Sequence, residues 1–320
     1  MEKELPFDDV HAFSEDFVIV KKSDKWGLID KTGKIIIEPQ FDVIWNFSEG
    51  LVIVEQSYKW GFVDKTGKVV VEPQFDGICP FSEELAIVAK LDKWWFVDKT
   101  GKVIVELQFD NARNFSEGLI SVEKSDKWGF IDTTFNVVIA PQFEDAGDFH
   151  EGLARVKQED KWCFVDKTGK IVIKPQFDDA GDFKEGFASV EEYGGWGFID
   201  KTGKLVINIL FDDAGDFSEG LASVKQGRSW GFIDTTGKIV VYPQFYRTGD
   251  FSDGLARVRI FGVMGLDVEI GSWCFVDKTG KIVIKQWFDD AGDFSEGLAI
   301  VKLNSKWCFI VVQNCFLACL

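Results

Sequence analysis

The sequence predicts an all-β protein made of tandem repeats of 34 residues. Three observations predict it. First, Trp recurs at 26, 60, 94, 128, 162, 196 and 230, always in steps of 34. Trp273 follows after 43 residues, a nine-residue insertion, and Trp307 restores the step of 34. The Phe of the F-S-E-G stretch keeps the same register, at Phe13, Phe47, Phe81, Phe115, Phe149, Phe183, Phe217, Phe251 and Phe294. Second, no repeat carries apolar residues at the i, i+3, i+4, i+7 spacing of a helix. Third, each repeat alternates short β-forming runs with turn residues.

Nine units start at Phe7, Phe41, Phe75, Phe109, Phe143, Phe177, Phe211, Phe245 and Phe288. Residues 1–6 form an N-terminal extension. Residues 7–320 form a single repeat domain with an insertion near 260–270. The unit 177–210 shows the elements in order. Phe177–Phe183 can supply a short strand. Phe187–Val190 is a strand, Trp196–Ile199 the next, and Leu205–Ile207 the last. Between the last two sits Asp200-Lys201-Thr202-Gly203, a tight hairpin. The Asp bonds the backbone two residues on, and the Gly takes positive φ. The same turn recurs at Asp30, Asp64, Asp98, Asp166, Asp234 and Asp277.

The last strand is apolar at successive positions, as in Ile35-Ile36-Ile37 and Val69-Val70-Val71. Successive side chains face opposite ways, so both faces of this strand are expected to be covered. The Trp series (Trp26, Trp60, Trp94, Trp128, Trp162, Trp196, Trp230, Trp273 and Trp307) is expected to be repetitive core. Exposed aromatic platforms are the alternative. The Gly after each Trp lets another backbone or ring come close.

Several units depart from the pattern. Cys163, Cys274 and Cys308 replace that Gly and read as small buried substitutes. Trp95 replaces it too. Cys79, Cys315 and Cys319 have no C-x-x-C spacing, so neither a disulfide scaffold nor a thiolate metal site is expected. Phe135 occupies the Gly slot of the fourth turn, which is expected to shift by one residue or change type. After Ile310 the chain leaves the repeat. Asn314 falls on the Gly slot, so that hairpin can survive.

Composition narrows the function. Fifty-three acidic against 36 basic side chains give a net charge of −17. That disfavours binding to a nucleic-acid backbone or an anionic membrane surface. No apolar run approaches the roughly 20 residues of a membrane-spanning helix. The first residues lack a secretory leader, and a cytoplasmic location is the expectation.

The residues Lys-Trp-Gly-Phe-Ile/Val-Asp-Lys-Thr-Gly-Lys, then Pro-Gln-Phe-Asp and Phe-Ser-Glu-Gly-Leu-Ala, recur along nearly the whole chain. In these the protein resembles the bacterial WG-repeat, or KWG-repeat, family. The resemblance implies an all-β repeat fold of propeller-like architecture and a binding or interaction role. Three clear strands and one weak strand per unit also parallel a four-stranded propeller blade. An open β-solenoid or superhelical stack is the alternative.

No constellation points to catalysis. His11 and His150 fall at different repeat positions and in no nucleophile motif. Neither a phosphate-binding loop nor a zinc-protease motif is present. A catalytic site needs residues unlike their repeat equivalents that converge once. The acidic sets Asp178, Asp179, Asp182, Glu185, then Asp212, Asp213, Asp216, Glu219, then Asp289, Asp290, Asp293, Glu296 are instead repeated. They read as turn and capping residues rather than calcium ligands, so no metal and no cofactor are expected.

The most individual segment is the insertion. Its apolar residues Phe261, Val263, Met264, Leu266 and Val268 are the candidate contacts for a partner. The sequence thus predicts a non-catalytic scaffold that binds a protein or peptide. The alternative is a lectin-like or small-ligand receptor that uses aromatics between units.

Overall fold

Each repeat folds into one four-stranded antiparallel sheet. The computed structural model describes the chain except residues 1–6, 15, 16, 31, 92, 262–270, 312–315, 319 and 320. The first sheet runs β1 (Asp9–Ser14), β2 (Phe17–Lys22), β3 (Lys25–Asp30) and β4 (Ile35–Phe41), hydrogen-bonded in that order. Nine such sheets lie among the described residues, and each keeps sequence order, or its plain reverse, from edge to edge. These are the blades of a β-propeller. A β-solenoid would pair strands of successive repeats, whereas here every ladder closes within its own repeat. The chain divides into two compact units, Pro6–Asp148 and Phe149–Leu320.

The turns explain the strand boundaries. Ser57 and Tyr58 both take positive φ (55° and 62°) between the second and third strands, a two-residue hairpin turn whose twist suits the strands. Glu49 and Gly50 do the same between the first and second. At the D-K-T-G turn, the Thr32 hydroxyl, the Thr32 N–H and the Lys34 N–H all donate to Asp30 Oδ1, at 2.6, 2.8 and 3.0 Å. Gly33 closes the turn at φ 82°.

The core lies between successive sheets. Third-strand Phe packs on the F-S-E-G Phe of the next repeat. Centroid distances are 4.6 Å for Phe62 and Phe81, 4.9 Å for Phe198 and Phe217, and 4.8 Å for Phe232 and Phe251. All six rings are buried. The Trp series adds to this core from its border. Trp128 is buried and the other eight are half-buried, and Trp26, Trp60, Trp94, Trp162, Trp196 and Trp273 pack against the core clusters. The fully buried aromatic is the Phe two residues on.

The fourth strand is longer than the sequence suggested. It continues through Glu38-Pro39-Gln40 to Phe41. Trp26 pairs Phe41 and Leu28 pairs Ile37, so the strand bulges opposite Gly27. The bulge accommodates a Pro that cannot join the ladder. It also favours the Gly, although Cys163 and Cys274 show that a small side chain is accommodated there by a local shift. A Cβ on Gly197 would stand 2.6 Å from the Ile207 carbonyl oxygen and 2.9 Å from the Ile209 nitrogen. Where Trp95 replaces Gly, the bulge is gone: Trp95 pairs Glu106 directly and the strand Val103–Glu106 stops after four residues. Cys163 and Cys274 keep the bulged register. Cys163, Cys274 and Cys308 are buried as expected. Burial pushes the Cys163 thiol up to about 11 and the Cys274 thiol to about 12, so neither supplies thiolate.

The last strand is covered on both faces along most of its apolar run: Ile37 and Ile139 are buried on one face, and Ile36 and Val70, which point the other way, pack against core clusters. Its first residue is more open, with Ile35 40% exposed and Val137 54%. The next repeat's D-K-T-G turn lies against it, as Gly67 meets Ile36 and Ile37 and Gly203 meets Ile173. One expectation is corrected. The fourth turn neither shifts nor changes type. Phe135 adopts φ 66°, its N–H bonds Asp132 O at 2.9 Å, and Asn136 N–H bonds Asp132 Oδ1 at 2.9 Å. Its ring lies 4.8 Å from Phe96, a contact that offsets the backbone strain. In the last sheet Phe316–Ala318 supplies a fourth strand, pairing Val311 with Phe316. Asn314 lies outside the described residues.

Candidate functional site

The repeated polar residues have structural tasks. Asp178 accepts from Lys161 and, at 2.9 Å, from the Tyr193 N–H of its own hairpin turn. Lys25 bridges Asp42 and Lys59 bridges Asp76 in the same way. Each bridge joins one repeat to the next. Glu185 accepts the Glu219 and Gly220 N–H groups at 2.7 and 2.8 Å, clamping the following repeat's turn. Asp179 caps the Ala180 N–H at 2.8 Å, and Asp182 faces Arg155 Nε at 3.0 Å. The Thr202 hydroxyl, with the Thr202 and Lys204 N–H groups, holds the Asp200 carboxyl below its ordinary value. Among the described residues, no group of three or more His, Cys, Asp or Glu could hold a metal ion.

A second row is less well satisfied. Asp216 pairs Lys184 at 2.7 Å and Asp293 pairs Arg257 at 2.8 Å. Partial desolvation, and then the Asp216 charge, push the Asp250 carboxyl up, and partial desolvation does the same to Asp293, although both residues keep an exposed surface. His150 Nε2 stands 3.7 Å from Asp182. Nothing is described of the His11 side chain.

One place gathers several side chains that depart from their repeat equivalents. A cleft of about 470 Å³ is lined by Lys225, Gly227, Arg228, Trp230, Tyr246, Arg247 and Phe261. It exists because a bridge is missing. Ser229 stands where Lys161 stands in its repeat, and Tyr246 where Asp178 stands. The Lys–Asp pair that ties other repeats is thus absent and the gap is open. Tyr246 keeps the backbone bond of the displaced Asp, its N–H donating to Arg259 O at 2.7 Å. Its ring meets Phe261 edge to face at 5.5 Å. Lys225 Nζ lies 5.9 Å from the Trp230 centroid. Arg259 stacks on Tyr246 at 5.7 Å and on Trp273 at 5.9 Å. Its Nε donates to Gly271 O at 2.6 Å, tying the two ends of the insertion together. A neighbouring gap of about 460 Å³, also where the Lys is missing (Gly195), is lined by Glu192 and Asp212 and has the opposite charge.

Of the predicted contact residues, Phe261 is 39% exposed and lines this cleft. Val263, Met264, Leu266 and Val268 lie outside the described residues. Sequence reasoning missed Arg228, Tyr246, Arg247 and Arg259. The signal was present: Phe245-Tyr246-Arg247-Thr248-Gly249-Asp250-Phe251 breaks the F-D-D-A-G-D-F of neighbouring repeats just before the insertion.

Fold and site together define a repeat-built protein of propeller type with one cationic, aromatic cleft between two of its sheets. The WG-containing repeat matches the chain nine times, at residues 6–26, 26–60, 60–94, 96–128, 128–162, 164–195, 196–228, 230–260 and 273–307. The chain belongs to this WG-repeat family. No match was found among the curated proteins. Two solved structures share the fold at low identity. One, described as the eukaryotic initiation factor, aligns with a TM-score of 0.64 and 12% identity over 89% of either chain. The other, dihydro-heme d1 dehydrogenase NirN in complex with DHE, aligns at 0.51 and 13% over 99% of this chain and 74% of its own. At these identities the likeness concerns the fold alone.

Proposed function

We propose that this chain is a non-catalytic scaffold that binds a protein or peptide partner at the cleft lined by Arg228, Tyr246, Arg247 and Phe261. One observation carries the reading. Arg228, Tyr246, Arg247 and Phe261 all depart from the repeat, and they converge at a single cleft. Its lining offers cations and rings, the groups that hold a peptide by ion pairing and stacking. Phe261 opens an insertion that carries four further apolar residues in its sequence.

The test is affinity capture from the native lysate with the intact chain beside a form lacking residues 262–270. A discrete protein retained at moderate salt by the intact form, and lost with the deletion, supports the scaffold. Weak acidic attraction washes away with salt, whereas a specific interface does not. Retention of no protein contradicts it. A small-ligand receptor is the second reading, favoured by the cleft's volume, which lies within the range of about 300–1,000 Å³ typical of ligand pockets. A glycan and metabolite panel read by Trp fluorescence tests it.

A further inference from the structure

We infer that the cleft recognises an acidic peptide segment that carries an aromatic side chain. The inference rests on the scaffold reading above and names its ligand chemistry. The first argument is local charge. Arg247 stands where Asp9, Asp145, Asp179, Asp213 and Asp290 stand in their repeats. In those repeats the carboxylate caps the next backbone N–H, as Asp213 caps Ala214 at 2.9 Å. Arg247 gives up that bond. Arg228 stands where Asp24, Asp126 and Asp160 stand. Two acids have thus become cations, and Lys225 adds a third at the same cleft. Arg228 and Arg247 are exposed, and no acidic partner reaches either among the described residues. In a chain of net charge −17, this patch is the opposite of the surrounding field and attracts carboxylates. A guanidinium presents the paired donors that a carboxylate accepts.

The second argument is the ring geometry. Tyr246 is 46% exposed and Phe261 39%, although the two already meet edge to face. Half-buried Trp230 forms another part of the lining. A third ring placed among them completes an aromatic cluster, a contact worth binding energy beyond the area it covers. Arg259 acts as a positioning residue: it stacks on the Tyr246 ring and donates to the Gly271 carbonyl. The cleft accommodates one aromatic side chain with carboxylates beside it, not a folded domain. A nucleic acid is the disfavoured occupant, because three cations face its phosphates within a strongly acidic protein.

The test is fluorescence anisotropy with a labelled Glu-Asp-Phe-Asp-Glu peptide and the full-length protein. Three control probes accompany it: one with Ala for Phe, one with Lys for each acid, and a short single-stranded oligonucleotide. The acidic aromatic peptide is expected to bind. The Ala control is expected to bind at least about tenfold more weakly, and the Lys control not at all. Arg247→Asp and Arg228→Asp restore residues that other repeats carry, so both should fold, as circular dichroism can verify. Each is expected to weaken the peptide at least about tenfold. Equal binding by the variants, no binding of the acidic aromatic peptide, or tighter binding of the oligonucleotide overturns the inference. The two readings fail separately. A captured partner indifferent to Arg247→Asp leaves the scaffold and removes this inference. Peptide binding that depends on Arg247, with no protein retained from lysate, leaves the cleft chemistry and removes the scaffold.

Discussion

Phe135 offers a quantitative test of how this repeat tolerates deviation. It holds φ 66° in a slot that Gly fills at 79–84° in other repeats, as at Gly101 and Gly67, and its ring packs 4.8 Å from Phe96. Two terms oppose each other. A non-Gly residue in the left-handed region costs about 1 kcal/mol or somewhat more. A half-buried Phe contributes about half of the 1.5–3 kcal/mol of full burial, and the ring pair adds about 0.5–1.5 kcal/mol. Phe135→Ala keeps the strain and loses the ring, so it should destabilise by about 1.5–3 kcal/mol. Phe135→Gly loses the ring but relieves the strain, so it should destabilise by about 0.5–2 kcal/mol. The Gly variant should thus be the more stable by about 1 kcal/mol. Urea unfolding followed by Trp fluorescence and circular dichroism measures both, with the slope checked for constancy. A Gly variant as unstable as the Ala variant would refute the strain argument. A Gly variant more stable than the parent would refute the contribution of the ring.

Three further outcomes follow from the same structure. Gly197→Ala should destabilise by about 1–3 kcal/mol, because its Cβ would press on the bulged backbone at Ile207 and Ile209, whereas Cys163→Gly should cost less; thermal melts compare them. Asp250 has its carboxyl pushed up by partial desolvation and by Asp216, although its surface is exposed, so the folded state holds that proton somewhat more tightly than the unfolded chain and the effect is small. The site therefore opposes folding as pH rises above the ordinary Asp range, although Lys184 and Arg257 moderate it. Asp250→Asn should raise the melting temperature at neutral pH, and the gain should vanish below that range. Ser229→Lys with Tyr246→Asp should recreate the bridge seen between Lys161 and Asp178. Denaturant midpoints should show a gain of at most about 1 kcal/mol, since the pair is surface-exposed, while partner retention is lost.

Much of the blade was legible because local chemistry dictates it. Asp200 and Gly203 encode their turn within four residues, and the predicted hairpin is the one that forms. The short first strand was visible too, reduced to Asp179–Ala180 in its repeat. What stayed hidden depends on contacts between repeats. The extension of the fourth strand through Pro39 was missed because Pro argues against a strand unless a bulge removes its ladder bond. Phe198 rather than Trp196 is the fully buried ring because the next repeat presents Phe217 at that depth, which one repeat alone does not show. Phe135 kept its turn because Phe96 lies a full repeat earlier and receives the ring. At the site, the insertion drew attention by its length. The substitutions Tyr246, Arg247 and Arg228 are single residues, and their convergence needs the neighbouring sheet. Comparing each repeat position by position would have exposed the charge inversion, though not the cleft it lines.

The most direct test of the cleft as the binding site is a hydrogen-exchange footprint of the intact chain with its captured partner. Protection should concentrate on Lys225–Trp230 and on Phe245–Phe261, with little change at the D-K-T-G turns. Protection centred instead on the exposed fourth-strand positions such as Ile35, Val103 and Val137, with the cleft segments unchanged, would contradict the account.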